Sequence, residues 1–310
     1  MHLDPALVLA SAIVGFLVGL TGAGGGALMT PMLVIFFGVT PSSAISSDLV
    51  AAAVMRPVGG AVHLNRRTPN LKMVGWLMLG SVPAAFFGAL VLRGLGNTKS
   101  AQDEVSILLG SVLLLGASAM LLRRLVERRS TTLAAPTPPG QKTVVKPIPT
   151  VLIGLFGGLI VGITSVGAGS LMIVMLLMVY PGIAMSELVG TDLVQAVPLT
   201  LAAALGHFLF GQVHFGVTAS LIVGSVPAVF VGALLSSRSP DRLLRPAITF
   251  VLLLSGLKLV GLGTAELGWV AGVAGAAVVV YLVYQVLWRR PRVAEVSAPG
   301  GTPSLSEVSG

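Results

Sequence analysis

The stretch "GLTGAGGGALM", residues Gly19 to Met29, is repeated as "GITSVGAGSLM", residues Gly162 to Met172. The offset is 143 residues, and "GSVPA" at Gly80 returns at Gly224 with an offset of 144. Asp48 and Asp192 keep that spacing, as do His63 and His207. One long offset carried through a whole chain marks two homologous halves, not a solenoid of short units. Glycine-broken segments at matching places in two apolar halves are the sequence mark of a secondary-transporter scaffold.

Composition agrees. Hydrophobic residues make up 55% of the 310 residues and charged residues 10%, which places the chain among membrane proteins. Most of its charge lies between apolar runs long enough to cross a hydrocarbon core, about 30 Å or about 20 helical residues. The net charge of +8 is therefore a property of loops, and it argues against nucleic-acid binding, which needs a basic patch on a folded surface. Cysteine is absent, which excludes disulfides, thiolate chemistry and Cys-ligated metals. No cofactor or metal is expected.

Apolar segments run at 3–21, 27–38, 44–64, 71–92, 105–122, 149–163, 170–180, 188–210, 217–235, 246–262 and 267–288. They are continuous and lack the period of two of barrel strands, so the expected class is an all-α polytopic membrane protein. Segments 27–38 and 170–180 are too short to span, and each follows a glycine cluster, so each half is read as carrying a re-entrant helical hairpin. The expected organisation is a first repeat at 1–125, a Pro/Thr-rich linker at 126–148, a second repeat at 149–288 and a disordered polar tail at 289–310.

Basic residues orient the chain by the positive-inside rule. Arg66, Arg67 and Lys72, the arginines at 123–129, Arg238, Arg242 and Arg245, and Arg289, Arg290 and Arg292 all fall inside if the N-terminus is outside and the C-terminus cytoplasmic. The equivalent connections 64–72 and 211–216 then lie on opposite sides, so the repeats are expected to be inverted. The start "MHLDPALVLA" lacks a basic leader and reads as a retained first segment.

The motifs "TGAGGGALMTPML" (Thr21–Leu33), "SSDLVAAAVMRPVGGAVH" (Ser46–His63), "VGTDLVQAVPLTLAAALGHFLFGQV" (Val189–Val213) and "GSVPAVFVGALLSSRSPDRLLRP" (Gly224–Pro246) resemble the TauE/SafE sulfite-exporter family of membrane permeases. The likeness covers roughly residues 10–92 and 154–261. It implies a transporter of small sulfur oxyanions or organosulfonates in a bacterial inner membrane. Similar chains tend to read Gly-Thr-Asp in both halves, whereas the first copy here is Ser46-Ser47-Asp48.

Several residues point to anion chemistry. At each hairpin tip, the glycines Gly22, Gly24, Gly25 and Gly26, matched by Gly167 and Gly169, free backbone N–H groups and a positive helix end to face an anion. Thr21, Thr164 and Ser165 add hydroxyls; alternatively, the glycines serve only close helix contact. Arg56 is a strong cation in mid-span and reads as an anion ligand or as the partner of an interior carboxylate such as Asp192. Asp48 and Asp192 read either as helix-start charges or as acids that couple transport to protons. His63 and His207 read either as proton shuttles or as helix-end caps. Gln195, Gln212 and Glu187 are lesser candidates.

The expected partners are the small anion, the bilayer and protons, with a homodimer left open. No catalytic residue is expected. An anion channel is the alternative function, followed by an intramembrane serine protease built on Ser170 and His207.

Overall fold

A computed structural model describes residues 4–21, 26–65, 68–96, 98–133, 142–167, 169, 171–235 and 241–263. Every regular element among them is an α-helix: α1 (Pro5–Thr21), α2 (Gly26–Phe37), α3 (Pro41–Asn65), α4 (Leu71–Leu95), α5 (Lys99–Leu133), α6 (Pro147–Thr164), α7 (Leu171–Val179), α8 (Met185–Phe210), α9 (Phe215–Leu235) and α10 (Asp241–Val260). Among the described residues, α4, α6, α8, α9 and residues 99–122 of α5 are long and apolar enough to cross a membrane. The last expected apolar run, 267–288, and the tail lie outside the described residues.

Helix ends follow local chemistry. The α4 start is capped by Asn70, whose side chain accepts from the Met73 N–H at 3.3 Å. The α5 start uses Thr98, whose hydroxyl accepts from the Ala101 N–H at 3.3 Å. α3 begins at Pro41, earlier than the apolar run suggests, because proline suits a first helical position and the following serines are buried rather than solvated. α5 runs on to Leu133, past the expected end of its apolar segment. Residues 123–133 contain no glycine or proline and are rich in arginine and leucine, so the helix continues through its charged end.

Packing is inside-out relative to a soluble protein. On α4 the buried positions include Gly80, Ser81, Ala84, Ala85, Gly88 and Ala89, while Trp76, Leu79, Phe87 and Val91 are exposed. In lipid, apolar side chains gain nothing by hiding, and small residues let helix backbones approach closely. A β-carbon added at Gly154, Gly158 or Gly162 of α6 would collide with Leu77, Ser81 or Ala85 of α4 respectively. Contacts ascend together along both helices, so α4 and α6 are parallel. On the other side of the molecule Gly224 meets Val8 and Ser11, Gly15 meets Ser225 and Gly19 meets Val229, so α1 and α9 are parallel as well.

These two packings are one packing written twice: shifting each partner by 143 or 144 residues turns the α4–α6 contacts into those of α9–α1. Hydrogen bonds obey the same exchange. The Asn70 N–H donates to Thr191 Oγ1 at 3.0 Å, and the His214 N–H donates to Ser47 Oγ at 3.3 Å. Each half thus lends its first helix to the other. α8 is parallel to α4, through Asn70 with Thr191, Ser81 with Gln195 and Phe86 with Gly206, and the short connection 211–214 then turns the chain back into α9. Consequently α1 and α6, the opening helices of the two halves, run in opposite directions.

Candidate functional site

The short helices α2 and α7, 12 and 9 residues, span about 18 and about 14 Å at about 1.5 Å per residue, so neither crosses a membrane. α7 returns beside the start of α6: the Tyr180 hydroxyl donates to the Lys146 carbonyl at 3.0 Å and accepts from the Lys146 N–H at 2.8 Å. The α6–α7 pair is therefore a hairpin with both ends together. Its turn is built by Ser165 in the left-handed region (φ 60°), followed by Gly167 (φ 118°) and Gly169 (φ 91°), conformations that favour glycine. Thr164 braces it, its hydroxyl donating to Ile160 O at 2.7 Å and accepting from the Val166 N–H at 3.2 Å.

The second hairpin meets the first here. A β-carbon on Gly26, the first residue of α2, would collide with the carbonyl and hydroxyl oxygens of Ser165. Both hairpins are joined through α3. Asp48 Oδ2 accepts from Thr30 Oγ1 of α2 at 2.6 Å and from Ser165 Oγ at 2.7 Å. Asp48 is fully buried, and its second oxygen, Oδ1, has no hydrogen-bond partner. Two turns into α3, it is no helix-start charge, since its bonds go to other helices.

Arg56 lies two turns further along α3, and its Nε is buried without a hydrogen-bond partner. Asp192 and then Asp48 act on it electrostatically. Asp192 occupies in α8 the place that Asp48 holds in α3, and it too is buried. One turn on, the fully buried Gln195 donates to Ser81 Oγ at 2.7 Å. α3 and α8 pack against each other, so one cation and two carboxyls share the interior between the halves. A group of this kind is expensive in a bilayer, which makes it the candidate functional site.

Other expected site residues fare differently. Thr21 donates to Leu17 O at 2.7 Å within its own helix. Gly22, Gly24 and Gly25 lie outside the described residues, as do Ser170 and the side chain of His63. His207 is buried, with Nδ1 2.9 Å from Ser46 Oγ and Nε2 2.7 Å from Gly162 O. Glu187 is not at this junction: at the start of α8 it accepts from Asn70 Nδ2 at 2.7 Å and from the Thr143 N–H at 3.0 Å, tying the linker to the α3–α4 connection. Thr30 was not singled out from sequence, and Ser46 only as a departure from Gly-Thr-Asp, without a site role. Thr30 had a signal, being the one polar side chain in "GALMTPMLVIFF".

Long apolar helices with bulky exposed faces, two half-length helices in hairpins and ionisable groups buried between duplicated halves define a multi-pass membrane protein of the transporter class. The sequence matches the family described as sulfite exporter TauE/SafE over residues 7–259. It is similar to three proteins of Bacillus subtilis (strain 168). It is 36% identical over 256 residues, 82% of this chain and 99% of the relative, to the probable membrane transporter protein YjnA. Identity is 24% to the probable membrane transporter proteins YdhB and YunE, with 82% of this chain covered in each case, and 98% and 96% of the relatives. The chain belongs to the TauE/SafE family of membrane transporters.

Proposed function

We propose that the chain is a secondary carrier of small anions, with sulfite, related sulfur oxyanions and organosulfonates as its substrate class. It works in a bacterial inner membrane by alternating access between two halves of inverted topology, with the N-terminus outside and the C-terminus in the cytoplasm. The observation that carries this reading is the junction at Asp48, where Gly26 and Thr30 of one hairpin and Ser165 of the other converge beside Arg56. Helix starts and freed N–H groups at such broken helices hold anions, and a guanidinium supplies the opposite charge. A carboxyl beside the site repels the anion unless it carries a proton, which couples loading to protons. Opposite directions of α1 and α6 support inversion, because rocking of inverted halves exposes one central site to each side in turn.

Purified protein in liposomes tests this with a panel of sulfite, sulfate, thiosulfate, a sulfonate and acetate, with and without a proton gradient. Saturable, gradient-stimulated uptake of sulfite or another sulfur oxyanion is expected. Preference for acetate, or flux without saturation as in a channel, would overturn the substrate class or the carrier mechanism.

A further inference from the structure

His207 makes bonds that decide what it can do. A carbonyl only accepts, so Nε2–H donates to Gly162 O at 2.7 Å, and in the neutral ring Nδ1 accepts from the Ser46 hydroxyl at 2.9 Å. The Gly162 carbonyl needs this partner. Within a continuing helix it would accept from the N–H of Val166, but that N–H donates to Thr164 Oγ1 where the hairpin turns. The imidazole replaces the missing helix bond. Three residues on, Ser165 delivers its hydroxyl to Asp48. α3 therefore holds the second hairpin twice within one turn, through Ser46 and His207 and directly through Asp48.

We infer that His207 is a positioning residue: it sets the tip of the second hairpin so that Ser165 meets Asp48, and it does not carry the coupled proton. A relay through the ring takes a proton on one nitrogen and releases it from the other, and here Nε2 faces a backbone carbonyl that takes up none, so no proton passes through His207 towards Gly162. Ser46 has one hydroxyl proton and two acceptors within reach, Nδ1 and Ser42 O at 2.8 Å. Protonating the ring turns that hydroxyl to Ser42 and leaves the Nε2–H bond to Gly162 unchanged. The titratable and charged groups on the helices around it are Asp48, Arg56 and His63 on α3, Lys72 and Arg93 on α4, Glu187 and Asp192 on α8, and His214 ahead of α9, while α6 has none. Ser46 and a backbone carbonyl, not any of these, hold its two nitrogens.

The effect on transport rests on the reading of the junction as the anion site; the effect on the hairpin does not. Full-length His207→Leu and His207→Gln in lipid are compared by amide hydrogen exchange over residues 160–172, by sulfite affinity, and by stimulation of uptake by a proton gradient. In His207→Leu the Gly162 carbonyl loses its partner, so exchange at the tip should speed up and sulfite affinity should fall about tenfold. Glutamine offers one donor and one acceptor, so His207→Gln should bring affinity back to within about threefold of wild type and keep the gradient effect. Loss of gradient stimulation in His207→Gln would make residue 207 a proton carrier and overturn the proposal, as would unchanged tip exchange in His207→Leu. Should His207→Leu fail to insert, Ser46→Ala, which leaves Nδ1 without its donor, must speed exchange at the same tip or the proposal falls. Should wild-type protein bind no anion, the transport reading fails while exchange still decides the positioning role.

Discussion

The two hairpins share a glycine-rich sequence plan and differ in their hydroxyls. The second turns on Thr164 and Ser165, and the matching residues of the first are Thr21 and Gly22, so only the second has a serine to offer an aspartate. The aspartates differ likewise. Two residues before Asp48 stands Ser46, which holds His207, whereas Gly190 stands two residues before Asp192. A β-carbon at Gly190 would collide with Thr68, so this side has closed up around a glycine. Arg56 adds a third departure, since its counterpart Thr200 only back-bonds to Ala196 O at 2.7 Å. Duplication preserves the helix packing, and these three side-chain departures, at Ser165, Ser46 and Arg56, lie around one junction.

The largest effect is expected where the hairpins touch. Gly26→Leu should abolish sulfite binding in protein that still inserts, because the side chain enters the space of the Ser165 backbone, while Gly75→Leu, placed where nothing lies within 4 Å, should bind as wild type does. Equal affinities of the two variants in equilibrium binding would reduce the contact to scaffolding. Next comes the cation. Arg56→Gln should weaken anion affinity by about 10- to 100-fold, the scale of about 1.5–3 kcal/mol for a hydrogen bond to a charged group. A lowered melting temperature with unchanged affinity would make Arg56 a structural partner of Asp192 instead.

The smallest change concerns the aspartate without the serine. Asp192→Asn should leave anion exchange intact and remove stimulation by a proton gradient, measured in liposomes with and without an acid jump. Full gradient stimulation in that variant would move the coupling role to another carboxyl. The comparison would sharpen if Asp48→Asn, which alters the group that joins both hairpins, also lowered anion affinity.

Much of the fold was legible in the chain. Among the described residues, hydrophobic runs separated by glycine, proline and charge placed every helix but α5 to within five residues, because insertion into a bilayer leaves few other choices. α5 was longer than read, since hydropathy reports where the apolar run stops and not where good helix formers stop. The site was legible only in outline. Asp48, Arg56, Ser165 and the glycine turns stood out by residue type, but Asp48 and Ser165 are 117 residues apart, and no local pattern announces that bond. Thr30 escaped because one hydroxyl in an apolar run is ordinarily spent on its own helix, as Thr21 and Thr200 are here, while Ser46 stood out only as a departure from Gly-Thr-Asp and carried no role.

Counterflow tests the central claim, carriage of a sulfur oxyanion by a single site facing each side in turn. Liposomes preloaded with unlabelled sulfite are diluted into a trace of labelled sulfite with no proton gradient. A transient overshoot of label inside, absent from liposomes loaded with chloride, is predicted. Label that enters at the same rate whatever the liposomes contain would contradict a carrier and leave a pore.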